Sequence, residues 1–435
     1  MSSIVVYLDP LQGGGGSACS VKAPFNIDNP HAVSVLTLDD VLALNGPGLV
    51  RQVGQLLAQK IRENTAVSAA LDMALAQQNG APSLPICFRV GDPAAHGLGW
   101  EALVGNNAFL ALDERWPIAR IARGGALEER PRRSYVSPLR LVCVLSAVQV
   151  DATKEWGAIH AAVTQAREAG LAVKVGVFSG QEDVVTTING LGDADIAAQP
   201  VPPPGGPTGL VQAIEAQEPH LLHLFCHGTI TNGVRLLEIG TAPDFDNDNG
   251  TSSVKVNVEE LGRSVARAGA WGVVLNTCRG AQASDESLTH AEQLVSAGVP
   301  AAVGMKRQVD VADAVAFTSA FYPELLDTVR RTVAKGPGEQ SLSWADLLIR
   351  ARRGLRDLHG SDPDSNDSWT LPVVYGTPGG FSLVVTAEDK QETDVQHTIG
   401  ETGLVEGLVD AIAPEGAPPD FLDALRSVTP EAIGG

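Results

Sequence analysis

Short apolar runs, each cut off by glycine or a polar cluster, recur along the chain at 4–8, 84–90, 117–123, 139–147, 171–178, 221–226, 271–275, 300–305, 371–375 and 381–385. They are too short for helices and too continuous for half-exposed strands, so they predict buried β-strands. A further strand and turn is expected over 35–44. Between the runs the apolar positions move to helical spacing. One helix is expected from 48 to about 78, with Leu49, Val53, Leu56, Leu57 and Ile61 on one face. Others follow at 155–169, 181–188, 208–216 (capped by Thr208), 258–268, 286–297, 311–334 and 344–358. Residues 234–239 and 254–256 pair as a hairpin over the loop at 244–250. Regular strand–helix alternation predicts an α/β fold: a mostly parallel sheet with helices on both faces.

The pattern also divides the chain. Residues 124–138 carry Arg130, Arg132, Arg133, Pro131 and Pro138 and read as an exposed linker. An N-terminal α/β half, 1–136, thus precedes a larger α/β domain, 137–386. From 387 to 435 the chain is acidic and loop-like, with amphipathic stretches at 404–412 and 421–428: a docking segment, a linker or part of a further domain.

Two strand ends carry the candidate chemistry. The run at 221–226 stops at His227-Gly228-Thr229, and the run at 271–275 stops at Asn276-Thr277-Cys278-Arg279-Gly280. Ligands of parallel sheets bind beyond the carboxyl ends of the strands, so an imidazole and a thiol are expected together at that rim. Such a pair makes an activated nucleophile, because the imidazole favours the thiolate and can carry its proton. His227 precedes Cys278 by 51 positions. A caspase-type signature has its histidine about 50 residues before a Gln-Ala-Cys-Arg-Gly cysteine, and the Cys-Arg-Gly part is present here.

Composition narrows the field. A net charge of −20 and a pI near 4.8 disfavour nucleic acid and anionic membrane as partners and favour a cationic one. The five cysteines are odd in number and form no CxxC pair, which suggests neither a zinc site nor a disulfide framework. Cys87, Cys143 and Cys226 sit inside apolar runs and read as buried thiols of a reducing compartment. No run reaches the ~18 apolar residues of a membrane span, and the start lacks a basic-then-apolar leader, so the expected location is cytoplasmic. The four glycines at 13–16 lack the Lys-Ser/Thr of a P-loop. Ala147-Val148-Gln149 is no phosphate cradle, which argues against a flavin or nucleotide binder. In Asp244-x-Asp246-x-Asp248 the positions for glycine and glutamate of a calcium loop hold Asn249 and Lys255. A solvated hairpin tip is expected, with no metal and no cofactor.

With these residues in view, the sequence resembles the CHAT domain family, caspase-related cysteine proteases of bacteria that often accompany TPR repeats. Gly99-Trp100-Glu101-Ala102-Leu103 is close to that family's Pro-Trp-Glu-x-Leu element. Phe225-Cys226-His227-Gly228, Gly298-Val299-Pro300-Ala301-Ala302-Val303, and Ala316-Phe317 leading to Phe321-Tyr322 follow in order. Ala351-Arg352 and Trp369-x-x-Pro372-Val373 complete the series, which spans roughly residues 1–385. TPR repeats are absent, and Thr277 stands where a small alanine is more usual.

The resemblance implies a caspase-like three-layer fold with 137–386 as its catalytic domain. It implies that Cys278 attacks a scissile carbonyl, that His227 moves the proton, and that the backbone N–H groups of Gly228 and Cys278 form the oxyanion hole. No third catalytic residue is required. By analogy with the wider clan, Asn276, two before the cysteine, lines the P1 pocket. Asp151, or Asp285 and Glu286, would supply an acidic wall; Asp285 and Glu286 equally suit the cap of the next helix. Trp100 and Glu101 are expected to pack the two halves together. Only about twenty residues separate Cys278 from Pro300, so a single-chain protease switched by a protein or ligand is expected. Its protein substrates would belong to defence or programmed death. The competing expectation is a non-catalytic CHAT-like scaffold that binds partners.

Overall fold

The strand Leu139–Leu145 is buried along nearly all its length, and its side chains alternate between two cores. Leu139, Leu141, Cys143 and Leu145 enter one; Val142 and Val144 enter the other. A strand covered on both faces has no solvent side, which is why its sequence is apolar throughout. The computed structural model describes residues 3–12, 16–44, 48–77, 80–122, 130–201, 206–247, 252–276, 286–307, 309–377 and 380–386. Among them, twelve strands form one sheet.

In chain order these are β1 (Ile4–Pro10), β2 (Ser17–Lys22), β3 (Ser34–Leu36), β4 (Ile86–Val90), β5 (Ile118–Ile121) and β6 (Leu139–Leu145). They continue with β7 (Val173–Ser179), β8 (Ile196–Pro200), β9 (Leu221–Phe225), β10 (Gly272–Leu275), β11 (Ala301–Met305) and β12 (Pro372–Gly376). Across the sheet the order is β8-β7-β6-β9-β10-β11-β12-β5-β4-β1-β2-β3. Strands β6 to β11 are mutually parallel. At β12 the direction reverses, and β5, β4 and β1 keep the reversed direction. The carboxyl ends of β9 and β10 therefore lie at the opposite edge from those of β1, β4 and β5. Residues on both sides of position 136 share this sheet, which is joined where Tyr375 pairs with Arg120.

Six helices matter below: α1 (Val50–Arg62), α2 (Thr65–Leu75), α3 (Thr153–Glu168), α4 (Glu286–Ser296), α5 (Val311–Ala334) and α6 (Trp344–Leu358). Leu57, Ala66, Ile159, Phe317 and Leu348 place all but α4 against the first core. Leu294 of α4, with Leu210 and Leu261 of neighbouring helices, covers the second. The result is a three-layer α/β arrangement, as expected. Packing is tight where α6 crosses β10: a Cβ on Gly272 would lie 2.0 Å from the Trp344 ring. Among the described residues, no helix is long and apolar enough to cross a membrane.

Four local expectations need correction. The helix expected from 48 to 78 is two, because the Asn64 side chain accepts from the Ala66 and Val67 N–H groups and caps α2. Its amide is also tied to the Cys19 and Ala32 carbonyls at 2.9 and 3.0 Å. Thr208 is inside its helix, Gly206–Glu215, rather than at its cap. The stretch read as a linker is partly docked: Arg132–Ser134 pairs with Phe381–Val385 in a separate three-stranded sheet, and Tyr135 is fully buried. Asp244 is no solvated tip; it is buried, accepting from Thr241 N and Oγ1 and from Ser252 N at 2.7–3.0 Å.

On the reversed side of the sheet, Trp100 stacks on Phe88 of β4 with ring centroids 4.8 Å apart. Glu101 and Arg120, both without exposure, pair through Nε–Oε1 at 3.0 Å and Nη2–Oε2 at 2.8 Å. The same guanidinium donates to the carbonyls of His96 and Leu98 at 2.6 and 2.8 Å. Burial alone would raise the Glu101 carboxyl, but Arg120 beside it holds it below the usual range.

Candidate active site at the carboxyl edge of the sheet

The ends of β6, β9 and β10 are level. Ser146 N donates to Phe225 O at 2.8 Å and Asn276 N to Leu224 O at 2.9 Å, so both ladders run one step past the strands. His227 then opens an antiparallel hairpin, His227–Thr231 with Val234–Ile239, to which Val254–Asn257 adds as expected. His227 is 8 % exposed. Its Nε2 lies 2.8 Å from the carbonyl oxygen of Val148. A carbonyl only accepts, so Nε2 carries the hydrogen and Nδ1 carries the lone pair of the neutral ring.

The turn that presents Val148 is itself held. Ser146 Oγ donates to Gly240 O at 2.6 Å and accepts from Gly180 N at 2.9 Å. Gln181 donates through Nε2 to Val150 O at 2.6 Å and accepts from Ala152 N at 3.0 Å. Gln149 takes a positive φ of 64° within this turn. The group that orients His227 is thus a backbone carbonyl, which has no side-chain signature in the sequence.

Gly228 packs on α4: a Cβ there would stand 3.3 Å from Nε2 of the buried His290, whose Nε2 is 3.1 Å from Leu236 O. Two residues on, Glu292 Oε2 lies 3.1 Å from His96 Nε2, tying α4 to the N-terminal half.

The other expected site residues fall in different places. Asn276 is completely buried, its Nδ2 donating to Glu155 Oε1 at 2.8 Å, Ala314 O at 3.1 Å and Thr318 Oγ1 at 3.1 Å. Its side chain is engaged by α3 and α5, inside the first core's layer. Asp151 is exposed, and its Oδ1 accepts from Thr153 N at 2.8 Å in the turn that opens α3. Those hydrogen bonds from Thr153 hold its carboxyl below the usual range. Glu286 begins α4, and its side chain lies outside the described residues, as do Cys278 and Asp285. The four described cysteines, Cys19, Cys87, Cys143 and Cys226, are buried free thiols. Burial pushes Cys226 up to about 12 and does the same for Cys19 and Cys87. Among the described residues no His/Cys/Asp/Glu group could hold a metal.

A family model, the CHAT domain, matches residues 49–377. The chain belongs to the CHAT domain family, as the sequence motifs implied. No curated protein matches it. Two crystal structures of the Saccharomyces cerevisiae separase–securin complex, at 2.6 and 3.0 Å, are similar at 13 % identity and a TM-score of 0.35. The match covers 83 % of this chain and 21 % of the other, so this protein spans about a fifth of the matched chain.

Proposed function

We propose that the protein is a cysteine endopeptidase whose nucleophile is Cys278 and whose general base is His227. The observation that carries this reading is the fixed imidazole of His227, aligned by Val148 O at the end of β9. Its neighbour β10 leads into Cys278. The pairing Leu224↔Leu275 puts His227 and Cys278 each three residues past matched positions. Two residues of chain from Asn276 to Cys278 span at most about 7 Å, a reach that supports a thiol acting at the same rim.

In this mechanism Nδ1 of His227 takes the thiol proton and the Cys278 sulfur attacks the scissile carbonyl. The resulting oxyanion is held by the N–H groups of Gly228 and Cys278. The imidazolium returns its proton to the departing amine, leaving an acyl-enzyme that water then hydrolyses with His227 again as base. Val148 O stabilises the imidazolium as well as orienting the ring.

The substrates are specific protein partners in the reducing cytoplasm of a bacterium, and the setting is defence or programmed death, as the family resemblance suggests. The short connection from Cys278 through α4 to β11 supports a single chain switched by an activating protein or ligand. Wild type but not Cys278→Ala being cut between 279 and 299 would overturn that switch.

The test is cleavage of a diverse peptide library by wild type and by Cys278→Ala, with and without cell extract. Cysteine-dependent cutting is expected, and it reports the P1 preference directly. Activity only with extract would identify a partner-activated enzyme. Silence in every condition would leave the alternative, a CHAT-like scaffold.

A further inference from the structure

Beneath Asn276 lies a polar cluster that the dyad chemistry does not use. Glu155 Oε1 accepts from Asn276 Nδ2 at 2.8 Å and from Thr318 Oγ1 at 2.5 Å, and lies 3.1 Å from His223 Nε2. On its far side the His223 ring meets the Tyr322 hydroxyl, 2.9 Å from Nδ1. Glu155, His223, Asn276, Thr318 and Tyr322 are all without exposure. Such a cluster is a poor way to fill a core. A buried carboxylate without a fixed cation is expensive, and apolar side chains of the same volume often serve stability better. Nor is it fully satisfied: among the described residues Glu155 Oε2, Asn276 Oδ1 and His223 Nε2 have no hydrogen-bond partner.

Its distinctive property is what it joins. His223 is on β9, four residues before His227; Asn276 directly follows β10, two residues before Cys278. Glu155 is in the first turn of α3, directly after the turn that presents Val148 to His227. Thr318 and Tyr322 lie on α5, so one carboxylate on α3 reaches β9, the exit of β10 and α5.

We propose that Glu155 and Asn276 are positioning residues for the nucleophile. The carboxylate fixes the exit of β10 against β9 and so sets the separation of Cys278 from His227. Asn276 acts through this inward grip and does not read the P1 side chain. This inference rests on the endopeptidase reading.

The test uses the full chain with Asn276→Ala, Glu155→Gln and Thr318→Val. Three quantities are read: the melting transition, kcat and KM on a peptide that wild type cuts, and the rate of Cys278 alkylation by iodoacetamide. Misplacing a reacting group by about 1 Å can cost ~100-fold. Asn276→Ala is therefore expected to lower kcat by about 10- to 100-fold and to slow alkylation. KM should stay within about twofold, with unchanged P1 preference, because only the reacting geometry is altered. Glu155→Gln, which keeps the Oε1 acceptor, should fall between it and wild type. Folded variants with wild-type kcat and alkylation would overturn the proposal. So would a changed P1 preference or KM with kcat intact, which would make Asn276 a pocket wall. Loss of cooperative melting in all three variants would make the cluster purely structural and overturn it too. Should wild type cut nothing, the endopeptidase reading fails, while the alkylation rates still decide whether Glu155 and Asn276 govern Cys278.

Discussion

Two fully buried glutamates, Glu101 and Glu155, sit in the same sheet-and-helix architecture and are held in opposite ways. Glu101 faces a permanent cation, the Arg120 guanidinium, through two hydrogen bonds, and that cation is itself anchored on two backbone carbonyls. Glu155 has only an amide, a hydroxyl and an imidazole. The first arrangement neutralises a charge and ties β5 to the 96–101 segment. The second, among the described residues, leaves two oxygen atoms unsatisfied directly under the strand ends that carry the candidate chemistry. Of these two glutamates, the fully paired one lies away from the candidate site and the imperfectly paired one beneath it.

Substitutions can break or sharpen this contrast. The largest expected effect on stability is at Arg120. Arg120→Met strands a buried carboxylate and should destabilise by about 3–5 kcal/mol, read as a lower urea midpoint. Peptidase activity per folded molecule should stay near wild type. Adding Glu101→Leu removes the stranded charge and should recover most of the loss.

Next is Gly272→Ala, whose new methyl group meets the Trp344 ring at 2.0 Å. Forcing α6 off β10 should cost about 1–3 kcal/mol in the same assay. A wild-type midpoint would show that α6 moves aside freely.

A pH series separates a third region, the amino end of β9. His220 is buried, accepts from Arg140 N at 3.0 Å and stacks on Trp271 at 4.6 Å. Burial lowers its folded-state pKa to about 3 from an ordinary 6.5. Between those values the unfolded chain binds the extra proton and the folded one does not. Stability is therefore present above pH 6.5 and is lost as the pH falls toward 3. His220→Gln should flatten that acid limb; an unchanged slope would assign it elsewhere.

The smallest effect is at Asn64. Its replacement by alanine removes a helix cap and should cost about 1 kcal/mol, without change in cleavage.

What the chain reveals before folding follows the same division. The helices at 311–334 and 344–358 and the parallel strands were legible because long periodic or unbroken apolar runs leave one reading. Asn64 was missed as a helix break because its amide is recruited by Cys19 and Ala32, far away in sequence. Ile196–Pro200 and Gly338–Leu342 were missed as strands because they are short, largely exposed and carry no run of large apolar residues. The reversal at β12 is a matter of topology, which composition does not record. At the site, the strand end marked His227, but its partner is the main chain of Val148. Glu155 gave no warning either: a glutamate in a first helical turn is commonplace, and only the fold brings it to His223 and Asn276.

The central claim is that Cys278 is activated by His227, and thiol reactivity tests it most directly. All five cysteines would be mapped by mass spectrometry after brief iodoacetamide treatment at neutral pH, in wild type and His227→Ala. The account predicts that Cys278 is alkylated at least about tenfold faster than Cys19, Cys87, Cys143 and Cys226. Removal of His227 should abolish that lead. Equal labelling of Cys278 in the two proteins would contradict it.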